Sequence, residues 1–195
     1  EFINSGGDVA VKGAVKGNID CCGDLSVGGA VNGDIDSDGD VSVNGRVSGE
    51  GNAGGDVSIN GELCGNADIG GDLTLNGSAD GNLNIGGDAK INGQLSEGID
   101  CGGDALINGN THGDLNVGGD LKLNGNHDGD IDVGGDCVVG SKNSDCKLNV
   151  TGNVNVGGDC KLWCDVDGDV NVGGDLVLGG NVSGELNVGG RITNK

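Results

Sequence analysis

Gly119–Gly134 reads GDLKLNGNHDGDIDVG, and this sixteen-residue phrase recurs along almost all of the 195-residue chain. Its second residue falls at Asp8, Asp24, Asp40, Asp56, Asp72, Asp88, Asp104, Asp120 and Asp136, each sixteen after the last. The series then skips to Asp159, resumes at Asp175 and finishes on Arg191. A fixed period of this size marks stacked repeats, in which each unit buries its apolar face only against its neighbours.

Let the phrase be numbered 1 to 16 as G-D-V-x-V-N-G-x-V-x-G-D-I-x-V-G. Every odd position is apolar or glycine, and nearly every even one is polar or glycine. That is the period of strands with one buried face, and no helical spacing competes with it. Because sixteen is even, the alternation runs unbroken from one repeat to the next, so every coil points its odd residues the same way.

Positions 3, 5, 9, 13 and 15 carry Val, Leu, Ile and some Ala or Cys, whereas positions 1, 7 and 11 are mostly glycine. The glycines mark three corners, where the inside is too narrow for a side chain and the backbone turns sharply. The sides are then positions 2–6, 8–10 and 12–16. The expected fold is all-β: a single-stranded parallel β-solenoid (β-helix) of triangular section, right-handed by the default for parallel crossovers. About 11 coils of 16 residues span residues 7–195. At roughly 4.8 Å per coil the rod is on the order of 50 Å long. Residues 1–6 form a lead-in or cap, and a loop insertion lies near residues 141–148.

Glycine supplies 46 residues, there is no Pro, Met or Tyr, and Trp163 and Phe2 are single. A globular core would need aromatic bulk, but a thin solenoid fills each slice with aliphatic residues stacked on their own copies. The net charge of −21 argues against nucleic acid or an anionic membrane as partner. No apolar run approaches transmembrane length. The chain does not begin with Met, as in a processed or partial chain. Eight cysteines tilt the compartment toward an oxidising, extracellular one over the cytoplasm.

Polar residues form rows along the outside. Asparagine holds position 6 from Asn44 to Asn124, a row expected to hydrogen-bond to itself. The position 2 aspartates are expected to accept backbone N–H groups in their own corners, in the manner of an Asx turn. Aspartates one coil apart repel, and calcium bridging would relieve that. Asp40, Asp56, Asp72, Asp88, Asp104 and Asp120 are therefore candidate calcium ligands, although the glycine-rich nonapeptide of calcium-binding solenoids is absent. Positions 12 and 14 give a second candidate face: Asn82, Asn84, Asp114, Asn116, Asp130, Asp132, Asn153, Asn155, Asp169 and Asn171. No cofactor other than calcium is suggested.

Thr111 and His127 both fall on buried position 9 in neighbouring coils, as a hydrogen-bonded core pair would. No nucleophile, base and orienting group are set apart from their copies, so no enzymatic activity is expected. Gly135–Gly157 is seven residues too long, and the surplus is expected to leave the rod as a loop at the position 6–8 corner. The loop carries Cys146, and the next coil reads Trp163-Cys164 where Asn-Gly stands elsewhere. A Cys146–Cys164 disulfide would pin the loop over Trp163. Cys137 and Cys160 both occupy position 3, as a disulfide or as two buried thiols.

Val41–Val47 (VSVNGRV), Val31–Ile35 (VNGDI) and Leu121–Val133 resemble the repeat of bactofilins, the polymer-forming cytoskeletal family, and the likeness runs through nearly the whole chain. The resemblance implies a β-helical scaffold rod that joins end to end into nucleotide-free filaments. The expected function is thus a structural rod forming a head-to-tail homopolymer. The alternative is a solenoid that binds ice or a mineral surface, or calcium, through the flat Asn/Asp face.

Overall fold

A computed structural model describes residues 2–142 and 148–195. The period-2 alternation becomes short strands, typically of three residues, whose outer two side chains point inward and whose middle one points out, as in Leu25–Val27 and Val41–Val43. Positions 13–15 of successive coils stack into one parallel sheet of twelve strands, from Ile3–Ser5 to Leu186–Val188. Positions 3–5 stack into a second sheet of twelve, from Val9–Val11 to Ile192–Asn194. Register is one coil throughout, so Val57 pairs with Leu73 and Leu73 with Ala89. At roughly 4.8 Å between strands, twelve coils make a rod of about 55 Å. Ile3–Ser5, inside the expected lead-in, is already a strand: it pairs in register with Ile19–Cys21.

The third side of the triangle is thin. Strands form there at Val15–Lys16 and Val31–Asn32, and again from Thr111–His112 through His127–Asp128 and Leu148–Thr151 to Cys164–Asp167. Between them the side is reduced to single bridges at Val31, Val47, Leu63, Ala79, Leu95 and Thr111. One inward residue per coil is all that fits between the glycine corners. Inside, columns such as Leu73, Leu75, Leu83 and Ile85 are almost fully buried, each on its copy in the next coil. Such columns stabilise the fold by burial at about 25 cal/mol per Å2 of apolar surface.

The described residues stop at Lys142 and take up the third side again at Leu148, so most of the expected loop near residues 141–148 lies outside them. Register then spans 23 residues rather than sixteen: His127 pairs with Val150, and Cys137 with Cys160. Gly140, just before Lys142, takes φ +77°, a conformation that favours glycine. Trp163 lies in the same outer column, its ring over Gly179, where a side chain would collide with Cε3. Glycines below and above Trp163 leave room for the one indole.

Candidate functional site

The position 2 aspartates do not close turns within their own corners. Each reaches to the next coil: the backbone N–H of Asp56 donates to Oδ1 of Asp40, and the bond repeats at 2.8 Å for Asp72, Asp88, Asp104, Asp120 and Asp136. The local turn expected from sequence is thus replaced by a chain of charge-assisted bonds along the rod. The same carboxylate explains the glycine before each position 2 aspartate from Asp24 onward. A Cβ at Gly71 would overlap Oδ1 of Asp56, so the Gly-Asp dipeptide is one device made by two adjacent coils.

Position 12 repeats this arrangement at a second corner and takes amide and carboxylate alike. Asn82 N–H donates to Oδ1 of Asn66, Asp130 N–H to Asp114, Asn153 N–H to Asp130, and Asp169 N–H to Asn153, all between 2.7 and 3.0 Å. Gly98 offers no side-chain oxygen, and the series resumes at Asp114. Gly113, beside the inverted Glu97-Gly98 pair of the coil before, takes φ +75°.

Position 14 is the outward row of the first sheet. Its side chains bond to each other: Asn84 Nδ2 to Asp68 Oδ1 at 3.0 Å, Asn155 to Asp132 at 2.7 Å, Asn171 to Asn155 at 2.9 Å and Asn187 to Asn171 at 3.1 Å. Asn116 and Asp132 lie in the same row, with the glycine backbone of position 16 beside them. Together they line an open groove of about 1390 Å3 running from Asn84 toward Ile192. Both rows are largely exposed, but position 12 side chains cap the backbone of the next coil, whereas position 14 side chains bond to one another.

With Oδ1 of each position 2 aspartate engaged, the candidate calcium ligands Asp40 to Asp120 present their second oxygens in single file. Among the described residues no group of three or more His, Cys, Asp or Glu is placed to hold a metal ion.

His127 is 2% exposed and hydrogen-bonded at both ring nitrogens. Nε2 lies 3.3 Å from the carbonyl oxygen of Asp130, which can only accept, so Nε2 carries the proton and Nδ1 accepts from the Thr111 hydroxyl at 2.8 Å. Burial lowers its pKa below the ordinary histidine value and keeps the ring neutral.

Cys137, Cys160 and Cys164 are buried free thiols. Cys137 and Cys160 face each other in register, and their thiol–thiol hydrogen bond together with burial holds Cys137 well above the usual thiol range. Of the alternatives at position 3, the structure has two thiols. Burial pushes Cys164 up to about 12. Cys146 lies outside the described residues, and with it the expected Cys146–Cys164 link.

The structure also groups residues that sequence reading left apart. On the exposed position 10 row, Ser96, His112 and Asp128 follow one another at sixteen-residue spacing. His112 Nδ1 is 3.6 Å from Asp128 Oδ2, but the Ser96 hydroxyl donates to Asp80 at 3.3 Å, away from the imidazole. The row is an electrostatic chain rather than a nucleophile with its base. Nearby, Arg46 Nε donates to the Cys64 sulfur at 2.9 Å and lies 3.5 Å from Glu62. Repeat spacing was the signal for the position 10 row and for Arg46–Glu62; Arg46–Cys64, eighteen apart, joins neighbouring columns of adjacent coils. No family model, no curated protein and no solved structure matches this chain.

Proposed function

We propose that the chain is a non-catalytic structural rod whose copies join head to tail into slender filaments. The observation that carries this reading is the contrast between the ends of the rod and its sides. The sides are paired, hydrogen-bonded and strongly acidic. The two end faces are not. Ile3–Ser5 and Val9–Val11 at one end, and Leu186–Val188 and Ile192–Asn194 at the other, each have a neighbour on one side only. Unpaired parallel edges template further strands.

Among the described residues the exposed large hydrophobics are Phe2 and Ile192, at 64% and 49%, one at each end. Charge follows the same division. Residues 1–16 hold two acidic and two basic side chains, and residues 180–195 hold one acidic and two basic, against −21 for the whole. A second copy continuing the register sets Ile3–Ser5 on Leu186–Val188 and Val9–Val11 on Ile192–Asn194. Arg191, which now pairs with Asp175 at 2.8 Å, then also meets Asp8 of the next copy. Such a heterologous contact propagates rather than closes.

The test is electron microscopy and light scattering of the purified chain at moderate salt, beside an Ile192→Asp variant. Filaments of single-rod width that disappear in the variant, with circular dichroism unchanged, are expected. A monomeric particle at every concentration up to the high micromolar range defeats the reading. The pre-ordered Asn/Asp row of position 14 favours one second reading, adsorption of that flat face to ice or a mineral. Thermal hysteresis by the monomer would promote it.

A further inference from the structure

Asn44, Asn60, Asn76, Asn92, Asn108 and Asn124 are each followed by glycine. Asn-Gly is the dipeptide most prone to lose its side-chain amide, because a residue without a Cβ lets its peptide nitrogen approach the asparagine Cγ unhindered. All six occupy the same place in the coil, and each backbone N–H donates to a carbonyl of the coil before at 2.8 or 2.9 Å. They differ in what holds their side chains.

Each Nδ2 from Asn60 to Asn124 donates to Oδ1 of the asparagine one coil earlier, at 2.8 or 2.9 Å. Asn60, Asn76, Asn92 and Asn108 are therefore held at both nitrogen and oxygen. Asn44 is held only at its oxygen, since the coil before it has Gly28 in this column, with no side-chain oxygen for Nδ2.

We propose that this row is a site of spontaneous amide loss whose order is dictated by the ladder: the end rungs Asn44 and Asn124 convert first, and the inner rungs are protected by their neighbours. The peptide nitrogen of Gly45 attacks Cγ of Asn44 and gives up its proton. The bond from Cγ to Nδ2 breaks, ammonia leaves and a five-membered imide remains. Water then opens the imide at either carbonyl to give aspartate or isoaspartate. One water is consumed, one ammonia is released, and nothing is oxidised or reduced.

For Cγ to swing toward the peptide nitrogen, the amide plane must turn out of the ladder. At Asn44, and at Asn124, which has Gly140 in this column in the next coil, this breaks one side-chain hydrogen bond; at an inner rung it breaks two, each shared with a neighbour. An α-linked aspartate at this position still accepts from Asn60 Nδ2. An isoaspartate lengthens the backbone at the corner, draws the acceptor away and makes Asn60 the new end. The lesion therefore advances inward from both ends of the row.

The test holds the full chain at mildly alkaline pH and follows amide loss at each Asn-Gly by peptide mass mapping, with ammonia release as a second readout. The urea-unfolded chain supplies the intrinsic rates. In the native rod Asn44 is expected to react several-fold faster than Asn76 or Asn92, a difference absent from the unfolded chain. Asn76→Ala, an exposed substitution, cuts the ladder and should raise the rates at Asn60 and Asn92 several-fold, with thermal unfolding showing the rod intact. Equal native rates at Asn44, Asn76 and Asn92, or unchanged rates at Asn60 and Asn92 in the variant, would overturn the proposal.

Discussion

Asp88 shows how a charged residue on this rod is used, because the chain carries its own control. At position 2 the oxygen that caps the next coil is always a carboxylate, whereas at position 12 Asn18, Asn66 and Asn153 make the same bond with an amide oxygen. Geometry, not charge, is therefore what the corner needs. Asp88→Asn should leave stability nearly unchanged, whereas Asp88→Ala, which leaves the Asp104 N–H without its acceptor, should cost about 1 kcal/mol in urea unfolding. Equal losses in the two variants would mean that the negative charge itself is required. His127 supplies the pH dependence. Its folded pKa lies below the unfolded value of about 6.5, so the unfolded chain binds the proton more readily. The stability contributed by the neutral ring is full above about pH 6.5 and is lost as pH falls from there toward the folded pKa, by at most about 1.4 kcal/mol per pH unit. Replacing the pair with Thr111→Val and His127→Val, to match Val150 in the same column, should remove that part of the slope. Unfolding curves at pH 7.5 and pH 5 that shift in parallel for both proteins would show that the imidazole is not the titrating group.

At the scale of the strand and its corner, glycine is required by the neighbouring coil rather than by the turn alone. At Gly71 a methyl group would overlap both the Asp56 carboxylate and the Gly55 backbone, whereas at Gly7, in the first coil, nothing lies within 4 Å. Gly71→Ala should destabilise the rod by roughly 2 kcal/mol or more, and Gly7→Ala by no more than about 0.5 kcal/mol. Comparable losses would place the cause in backbone conformation instead. This contrast also marks how far the sequence could be read. The even period and the columns at positions 3, 5, 9, 13 and 15 announced the triangle, its buried faces and the Thr111–His127 pair, because each follows from side-chain alternation within one coil. What passes between coils was hidden. Nothing in the phrase Gly-Asp says that the carboxylate bonds to the next coil, or that the exposed position 12 row caps backbone while position 14 side chains bond to one another. The single bridges from Val47 to Leu95 show the same limit on the thin side. Ile3–Ser5 was missed as a strand because it precedes the first full phrase, yet its alternation already matched position 13–15.

For the whole molecule, the decisive quantity is the distance over which charges are felt. At about 0.1 M salt the screening length is roughly 10 Å, or two coils, and at about 0.01 M it is roughly 30 Å, over half the rod. At moderate salt a junction between two copies therefore senses little beyond the end coils, which are neutral at one end and carry +1 at the other. Lys12, Lys16, Arg191 and Lys195 place four of the chain's ten basic residues there. At low salt the acidic flanks of both rods come within range, and their repulsion opposes the junction. Sideways bundling brings like-charged flanks together along their whole length and is opposed in both conditions. Filament length should therefore rise on going from 0.01 M to 0.1 M salt while width stays that of one rod. Reversing the end charges with Lys12→Glu, Lys16→Glu and Arg191→Glu should shorten filaments at 0.1 M. The same number of charges reversed in the middle of the rod, at Lys90, Lys122 and Lys161, should have a smaller effect on length. Light scattering against salt for the three proteins checks this, with particle width read from electron micrographs. Filaments that lengthen as salt is lowered, or that respond equally to end and middle reversals, would remove end-face electrostatics from the account and leave strand-edge pairing to explain any assembly alone.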